Sequence, residues 1–358
     1  MIRRFANFDW VLFGALLSIA LTSLLSLASV EPLYFGRQLI WYALAFAVIF
    51  LGSQLDWRWL GSQTWFRHGL YFLSITLLII SNLQSRTIRG TKSWLVFGGL
   101  QFEPVELAKL ALIIILAHFF SKRYIAAWQG RNIFASFFYT ILPVVLVLFH
   151  PDFGSAVVVL GIWSGFLFAS GINKKRLAVG LLIAIMLCIF LWAFAMKPYQ
   201  KERIMSFIFP ERDPLGTSYN VIQSKIAIGS GGLWGKGFGG GTQAKLHFLP
   251  AAHTDFLFAA FAEEWGVVGG VVLIGLYGIL IFRVVRIGLR GRDNYARFLA
   301  LGAGILLTIH FLINVGSNMG LLPVTGIPLL FFSYGGSSLL TVAILMSIME
   351  HIQLESSA

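Results

Sequence analysis

Three residues have the side-chain types that a transfer reaction onto a hydroxyl group requires: Asp255, Glu106 and Lys109. A carboxylate can accept the proton of an attacking hydroxyl, and an ammonium group can balance charge on a leaving group. Glu106 and Lys109 are three residues apart, so on a helix they share a face and can form an ion pair. A purely structural ion pair is the alternative for these two, and a helix cap is the alternative for Asp255 or Thr254.

The segments that carry these residues are strongly apolar. The chain has 358 residues, of which 58% are hydrophobic and only 12% are charged, and its mean hydropathy is +0.81. Soluble domains contain about 25% charged residues, so this composition excludes an ordinary cytosolic enzyme. Repeated apolar runs of about 20 residues predict membrane-spanning helices. A charged residue inside such a helix is costly and therefore indicates a functional site.

The apolar runs predict an all-α polytopic membrane protein with ten transmembrane helices, forming a single domain over residues 1–358. One large outer loop, about residues 197–254, separates the seventh and eighth helices. The fourth, sixth and eighth helices begin on the outer side, so Glu106, Asp152 and Asp255 are expected to meet at that face. Asp152 could also cap the sixth helix. The predicted spans are about 10–28, 38–54, 66–81, 104–120, 134–149, 154–171, 177–196, 255–284, 298–315 and 334–351.

The basic residues indicate orientation and a type of ligand. The chain has 27 Lys and Arg against 15 Asp and Glu, a net charge of +12, and most of the basic residues lie in loops between apolar runs. More of them lie on the N-terminal side, which predicts that both termini are cytoplasmic. This placement favours anionic lipid or a phosphorylated substrate as the partner and argues against nucleic acid. Basic residues on the outer side either bind an anion or are simply tolerated; these are Arg86, Arg89, Lys92, Lys197, Lys201 and Arg203.

Two glycine-containing stretches interrupt the apolar pattern. The first, residues 229–241, has Gly-x-Gly-x-x-Gly spacings, but a dinucleotide site would need a strand before it and a helix after it. It is interpreted either as a flexible outer loop whose backbone approaches a head group or as a linker. The second, residues 314–328, is apolar but broken by glycine and proline, and irregular backbone at membrane depth requires a protein-lined or cavity-lining position.

Seven ordered blocks of the sequence resemble the SEDS family, named for shape, elongation, division and sporulation. The resemblance spans almost the whole chain, and the short N-terminus and modest outer loop are more similar to the elongation member than to the division member. The blocks are residues 92–95, 103–109, 151–156, 227–237, 253–256, 320–328 and 333–338.

This resemblance implies a peptidoglycan glycosyltransferase in the bacterial cytoplasmic membrane. Its expected substrate is lipid II, the undecaprenyl-diphosphate-linked disaccharide pentapeptide, and its expected partners are a class B penicillin-binding protein and other elongation-complex membrane proteins. The family's essential outer-loop aspartate corresponds to Asp255, and its glutamate and lysine on the fourth helix correspond to Glu106 and Lys109. An aspartate that opens the sixth helix corresponds to Asp152.

The family's lipid-linked sugar is α and its polymer is β-1,4, so the resemblance implies one displacement with inversion, one base and no covalent intermediate. Asp255 is the expected base, with Lys109 and Glu106 completing the catalytic set. No metal motif is visible, although a divalent cation such as Mg²⁺ or Mn²⁺ could supply part of the positive charge. The substrate-binding candidates are Asp152, Trp94, Ser230 and Lys236, together with the six outer basic residues named above.

Two other functions remain open from the sequence. A lipid II flippase would need polar groups along the whole translocation path and often has internal repeats. No repeat is evident, and the charges within the spans lie mostly toward one face, which favours the enzyme. A non-catalytic scaffold for a partner complex would not need Glu106, Lys109 and Asp255 at all.

Overall fold

The computed structural model of the protein is built almost entirely from helices. It describes residues 7–83, 93–97, 100–123, 129–171, 198–209 and 218–357, with a few single positions between these ranges. Two short strands, β1 (Leu95–Phe97) and β2 (Leu100–Phe102), form an antiparallel hairpin. The helices are α1 (Trp10–Val30), α2 (Pro32–Gly52), α3 (Trp57–Ser62), α4 (Thr64–Leu83), α5 (Pro104–Arg123), α6 (Gly130–Phe149), α7 (Phe153–Ala169), α8 (Pro198–Ile208), α9 (Tyr219–Ser230), α10 (Thr242–Lys245), α11 (Leu257–Arg290), α12 (Asn294–Asn318) and α13 (Gly336–Ser356).

The membrane-spanning character predicted from the sequence is confirmed. Among the described residues, eight helices are long and apolar enough to cross a membrane, and α7 is an apolar helix of 17 residues. The predicted seventh span, residues 177–196, lies almost wholly outside the described residues, so a total of ten remains a prediction. The prediction of an all-α fold needs one correction, because β1 and β2 form a hairpin. The predicted outer loop contains helices α8, α9 and α10.

Helices α5 and α13 form the centre of the assembly. In an apolar stretch of 18 residues in α5, 83% of the residues are buried inside the protein. The buried share of the corresponding stretch is 78% in α13, whereas it is 28% in α2, α6 and α11. A helix that is apolar on all sides packs in the interior of a bundle. The pair Glu106 and Lys109 therefore lies on an enclosed helix, and the exposed sides of α2, α6 and α11 face the lipid.

Aspartate side chains fix where four of the described helices begin. Asp9 precedes α1, Asp56 precedes α3, Asp152 precedes α7 and Asp293 precedes α12, and each carboxylate accepts a hydrogen bond from the backbone N–H three residues later. Such a cap satisfies one of the backbone donors that the first turn of a helix leaves unpaired.

Helices α1 and α11 are antiparallel and are connected at both ends. At one end the hydroxyl of Ser29 donates to the carboxylate of Glu264, and at the other Nε of Arg283 donates to Oδ2 of Asp9 at 2.9 Å. The backbone N–H of Asp9 also donates to Oε2 of Glu350 in α13, at 3.0 Å. The interval 9–29 along α1, a candidate membrane span, corresponds to about 30 Å of helix, close to the roughly 30 Å of a bilayer's hydrocarbon core. These two contacts therefore lie at the two ends of a helix long enough to cross a membrane.

Helix α11 is broken at Gly266, where the backbone has φ 65° and ψ −166°. Gly235, at φ 82°, crosses the chain at this point. A Cβ atom on Gly235 would collide with the carbonyl of Glu264, and one on Gly266 would collide with the backbone N of Gly235. Both positions combine a left-handed conformation with a backbone contact that only glycine permits.

The segment 231–241, called the glycine-rich loop below, supplies the hydrogen bonds that the broken helix has lost. The N–H of Val267 donates to the carbonyl of Gly232 at 2.9 Å, and the N–H of Lys236 donates to the carbonyl of Glu263 at 3.0 Å. Buried backbone donors and acceptors are costly when unpaired, so this pairing stabilises the break. The loop is therefore an integral part of α11's structure, which the interpretation as a linker did not anticipate.

Candidate active site

A cavity of about 370 Å³ lies where the ends of several helices meet. The segments that line it come from the start of α5, the start of α7, helices α8, α9 and α12, the turn before α11 and the connection between α12 and α13. Five of the side chains predicted from the sequence to serve the site are among its lining residues: Asp255, Glu106, Lys109, Asp152 and Trp94.

Lys109 is held between two partners inside the protein. Its Nζ donates to Oε1 of Glu106 at 2.6 Å and lies 3.2 Å from Nε2 of His310, and its side chain is only 1% exposed. Nδ1 of His310 lies 3.0 Å from the carbonyl of Pro328. A carbonyl only accepts and an ammonium only donates, so the proton of a neutral His310 sits on Nδ1 and Nε2 accepts from Lys109.

His310 is the site residue that the sequence analysis missed. The sequence prediction relied on acidic residues and Lys109 as the charged groups within the spans. His310 lies in the middle of an apolar helix, 201 positions away from Lys109. A histidine inside a membrane span is itself an unusual polar group, and that signal would have singled it out.

Glu106 retains one oxygen that faces no partner among the described residues. Its Oε1 is paired with Lys109, but its Oε2 is buried and makes no hydrogen bond to the described part of the chain. Buried carboxylate oxygens are normally hydrogen-bonded. Because Glu106 also lines the cavity, this oxygen is positioned to interact with a group that enters it.

The backbone of Asp255 is fixed by two buried asparagines of α12. The carbonyl of Asp255 accepts from Nδ2 of Asn314 at 3.0 Å and from Nδ2 of Asn318 at 2.9 Å. The N-cap position of α11 is Phe256, not Asp255 or Thr254, and Oδ1 of Asn318 accepts from the N–H of Ala259 in the first turn at 3.2 Å.

Asp152 combines the two roles that the sequence analysis treated as alternatives. Its Oδ1 accepts from the N–H of Ser155 at 3.0 Å, which is the N-cap interaction of α7. It also lines the cavity. A capping carboxylate has a second oxygen, so the cap does not prevent it from meeting a ligand.

Glu103, immediately before α5, adds a fourth carboxyl group to the cavity. Its backbone N–H donates to the hydroxyl of Ser337 at 3.1 Å. Burial, followed by the nearby carboxylates of Glu106 and Asp152, raises the pKa of Glu103 well above its usual value. A carboxyl group in this environment stays protonated at pH values at which an ordinary glutamate is ionised.

Several predicted substrate-binding residues are placed elsewhere. Lys236 pairs with Glu263 at 2.6 Å, and the hydroxyl of Ser230 donates to the carbonyl of Ala227. Lys201 lies on α8, whose Ser206 lines the cavity. The remaining candidates lie outside the described residues, in the case of Arg203 by its side chain only: Arg86, Arg89, Lys92, Lys197 and Arg203.

Glu263 is a structural carboxylate. Besides Lys236, it accepts from the backbone N–H of Thr242 at 2.9 Å and from that of Gln243 at 3.1 Å, and it is fully buried. It anchors the end of the glycine-rich loop to α11. A second carboxylate two turns beyond Asp255 is therefore used for folding and does not line the cavity.

Side chains of metal-ligand type come together away from the cavity. Within the part of the chain that the structure describes, one group of His, Asp and Glu side chains converges closely enough for an ion, namely Asp56, His351 and Glu355. None of these three residues lines the cavity.

The comparisons with known proteins agree with this geometry. The family model described as cell cycle protein, for FtsW, RodA and SpoVE, matches residues 3–358. Peptidoglycan glycosyltransferase MrdB of Escherichia coli strain K12 is 39% identical over 293 residues, covering 81% of this chain and 79% of that protein.

Two solved structures are similar over nearly the full length. A chain in a peptidoglycan synthase complex, described for its coordination of polymerization and crosslinking, has a TM-score of 0.84 at 35% identity and covers 98% of both chains. The crystal structure of the rod shape determining protein RodA of Thermus thermophilus has a TM-score of 0.73 at 29% identity and again covers 98% of both.

These matches confirm the resemblance to the SEDS family and to RodA, its elongation member. Relatives of this chain are named as peptidoglycan glycosyltransferases, so the non-catalytic scaffold is no longer an alternative. The chain is a multi-pass membrane protein that belongs to the FtsW, RodA and SpoVE family and is a peptidoglycan glycosyltransferase.

Proposed function

We propose that the protein polymerises lipid II into β-1,4-linked glycan by a single inverting displacement in the cavity. The 4-hydroxyl of one sugar attacks the anomeric carbon of another, the bond from that carbon to the lipid diphosphate oxygen breaks, and the hydroxyl proton passes to a carboxylate. The observation that carries this proposal is the convergence of four carboxyl groups and one ammonium group from distant segments on one cavity. Inversion needs one base, and the cavity offers a choice of carboxyl groups for it.

Asp255 is the carboxylate best suited to act as the base. Glu106 is paired with Lys109, Asp152 caps α7, and the raised pKa of Glu103 favours its protonated form, which cannot accept a proton. The backbone of Asp255 is held by two asparagines, Asn314 and Asn318. A base must be held within hydrogen-bond reach of the proton it removes, and a rigid backbone favours this.

Lys109 and Glu106 are assigned a supporting role in the same reaction. The ammonium group, fixed by Glu106 and His310, presents positive charge to the cavity from an enclosed position. Preorganised charge in a site that excludes water stabilises developing negative charge more strongly than it would in water. Glu106 holds Lys109 in place through their ion pair and offers its second oxygen to a sugar hydroxyl or amide.

The diphosphate is assigned to a position beside the acidic part of the cavity. One ammonium group among four carboxyl groups does not provide a good environment for a polyanion. The outer basic residues are better suited, and Lys201 lies on the helix whose Ser206 reaches the cavity. We assign Trp94 and Asp152 to the sugars and Arg86, Arg89, Lys92, Lys197, Lys201 and Arg203 to the diphosphate.

We propose a divalent cation only as an ion that enters the site bound to the diphosphate of the substrate. We assign no reaction step to an ion. Loss of polymer formation when the metal is chelated, with recovery on addition of Mg²⁺ or Mn²⁺, would support an ion that enters with the substrate.

We place the protein in the bacterial cytoplasmic membrane, with its termini in the cytoplasm and the cavity outside. The excess of basic residues on the N-terminal side supports this orientation. A membrane-impermeant thiol reagent should label a cysteine at Ser230 in intact cells and spare one at Arg290. Labelling with the opposite pattern would invert the assignment.

The expected partner is a class B penicillin-binding protein, with other elongation-complex membrane proteins around it. The similarity to a chain from a complex that coordinates polymerization and crosslinking supports a crosslinking partner. The test of the whole proposal is reconstitution of the purified protein with lipid II, with and without this partner. Polymer that disappears in Asp255→Asn supports the proposal, whereas transfer of labelled lipid II between leaflets without polymer would support the flippase.

A further inference from the structure

The glycine-rich loop exposes large apolar side chains on the outer part of the protein. The side chain of Trp234 is 79% exposed and that of Leu233 is 66% exposed. A patch of exposed apolar side chains on a folded protein usually marks a surface that contacts something else. Neither residue takes part in the cavity, so the proposed reaction gives no reason for their exposure.

The depth of these residues relative to the membrane follows from hydrogen bonds. The N–H of Val268 donates to the carbonyl of Leu233 at 3.1 Å, and that of Val267 donates to Gly232 at 2.9 Å. Val267 and Val268 follow Glu264 by three and four residues, and Glu264 is bonded to Ser29 at the end of α1, a candidate membrane span. Leu233 and Trp234 therefore lie at the level where this span ends, which is the outer interface in the orientation proposed above.

The apolar patch is continuous with the lipid-facing side of α11. Val267, Val271 and Val272 are all exposed on this helix, which is one of the candidate membrane spans. A bilayer covers such a face along its whole length. The loop is hydrogen-bonded to Val267 and Val268, in the first turn of α11 after the break. A bilayer surface that covers Val271 therefore extends to Trp234.

We propose that Leu233 and Trp234 insert into the outer leaflet of the bilayer and anchor the glycine-rich loop at the membrane surface. The occupant of the patch is lipid. Tryptophan suits this place, since its ring is large and apolar while its N–H remains at the level of the head groups. The anchored loop holds the break in α11, and thereby keeps the segment 255–265 at the height of the outer head groups.

Spin labelling in vesicles tests this depth directly. Cysteines are introduced in a Cys188→Ala background at Trp234, at Val271 as a lipid-facing control and at Arg290 as a control beyond the inner end of the span. The labelled proteins are reconstituted without a partner into vesicles of phosphatidylethanolamine and phosphatidylglycerol. Accessibility to oxygen, which concentrates in lipid, is compared with accessibility to a water-soluble nickel chelate.

The ratio of oxygen accessibility to nickel accessibility at Trp234 should be close to the ratio at Val271. It should be at least about fivefold above the ratio at Arg290, because the two reagents partition oppositely across a hydrocarbon boundary. A ratio equal to that at Arg290 would place the loop in water and overturn the proposal. Low accessibility to both reagents would place Trp234 against protein and also overturn it. If Trp234→Cys does not fold, Leu233→Cys gives the same readings. The measurement does not depend on activity, so it is independent of the proposed reaction.

Discussion

Nε2 of His310 lies 3.2 Å from Nζ of Lys109, although the two residues are on different helices and 201 positions apart. Nδ1 of His310 is in turn bonded to the carbonyl of Pro328, in the connection between α12 and α13. The position of the ammonium group is therefore determined by three segments of the chain, α5, α12 and that connection. A substitution at any of the three should change where the positive charge lies in the cavity.

Lys109→Arg should lose activity while the protein remains folded. The guanidinium group is planar and larger than an ammonium group, so it cannot occupy the same enclosed position between Glu106 and His310. Misplacing a catalytic group by about 1 Å can cost roughly 10²-fold in rate. Glycan polymer formed from lipid II is the measurement, and full activity would reduce Lys109 to a generic positive charge.

Lys109→Ala should instead destabilise the protein. Removing one partner of a buried ion pair costs about 3–5 kcal/mol, because the other charge is left unpaired. The double variant Glu106→Gln, Lys109→Met should recover much of the thermal stability in detergent and none of the activity. Equal stability of the single and double variants would show that the pair contributes little to folding.

Asp255→Asn should fold and form no detectable polymer. The amide keeps the size and hydrogen-bonding capacity of the carboxylate, so the thermal unfolding temperature should stay close to that of the wild type. Loss of a general base costs about 10²- to 10⁴-fold in rate. The matched control is Asp293→Asn, a capping aspartate at the start of α12, which should keep both stability and activity. Normal polymer from Asp255→Asn would move the search for the base to Asp152.

Asn318→Leu should lower the turnover number with little change in the apparent affinity for lipid II. This amide donates to the carbonyl of Asp255 and accepts from the N–H of Ala259, so leucine removes both contacts. Each buried group left unpaired costs about 1–3 kcal/mol of stability. Ser224→Ala is the control, because it removes a neighbouring bond to the carbonyl of Asn318 without touching Asp255. Equal losses of activity in both variants would argue that the effect is general destabilisation.

Glu103 should make stability depend on pH. A folded-state pKa above the unfolded value of about 4.5 means that folding favours the protonated form. The stabilising contribution is therefore complete below pH 4.5 and is lost as the pH rises through the raised pKa. Glu103→Gln does not titrate, so its stability relative to the wild type should rise between pH 5 and pH 8. Thermal unfolding in detergent measures this, and a difference that is constant with pH contradicts the assignment.

Gly235→Ala should destabilise the protein through the crossing at Gly266. A non-glycine residue in a left-handed conformation costs about 1–3 kcal/mol, and here the new Cβ would also meet the carbonyl of Glu264. Gly229→Ala is the matched control, because it lies in helix α9 with open space around it and should be neutral or slightly stabilising. Equal unfolding temperatures for the two variants would contradict the close crossing.

The membrane helices and the main chemical residues were predictable because their signals are local. Apolar runs of bilayer length predict spans without knowledge of tertiary structure. Charged residues at helix starts, such as Glu106 and Asp255, stand out for the same reason. Their meeting at one cavity followed from counting spans, which gives the side of the membrane on which each helix begins.

The remaining features depend on contacts between distant segments, which a single sequence does not reveal. The sequence predicted one continuous helix over residues 255–284, so the break at Gly266 was not anticipated. The glycine stretch was left open between a loop that approaches a head group and a linker, whereas its backbone groups pair with α11. Glu263, a carboxylate eight residues beyond Asp255, is bonded to Thr242 and Gln243 and does not line the cavity.

The contacts at the two ends of α1 and α11 also limit how the protein can move. A slide of one helix along the other by a single turn, about 5.4 Å, would break the bond between Ser29 and Glu264 together with the ion pair between Asp9 and Arg283. Both contacts are largely buried, so each separated group would lose its partner away from water. These two helices are therefore held in one register, and we expect an opening that admits a lipid-linked sugar or releases the growing strand to come from rotation or displacement of other helices against them.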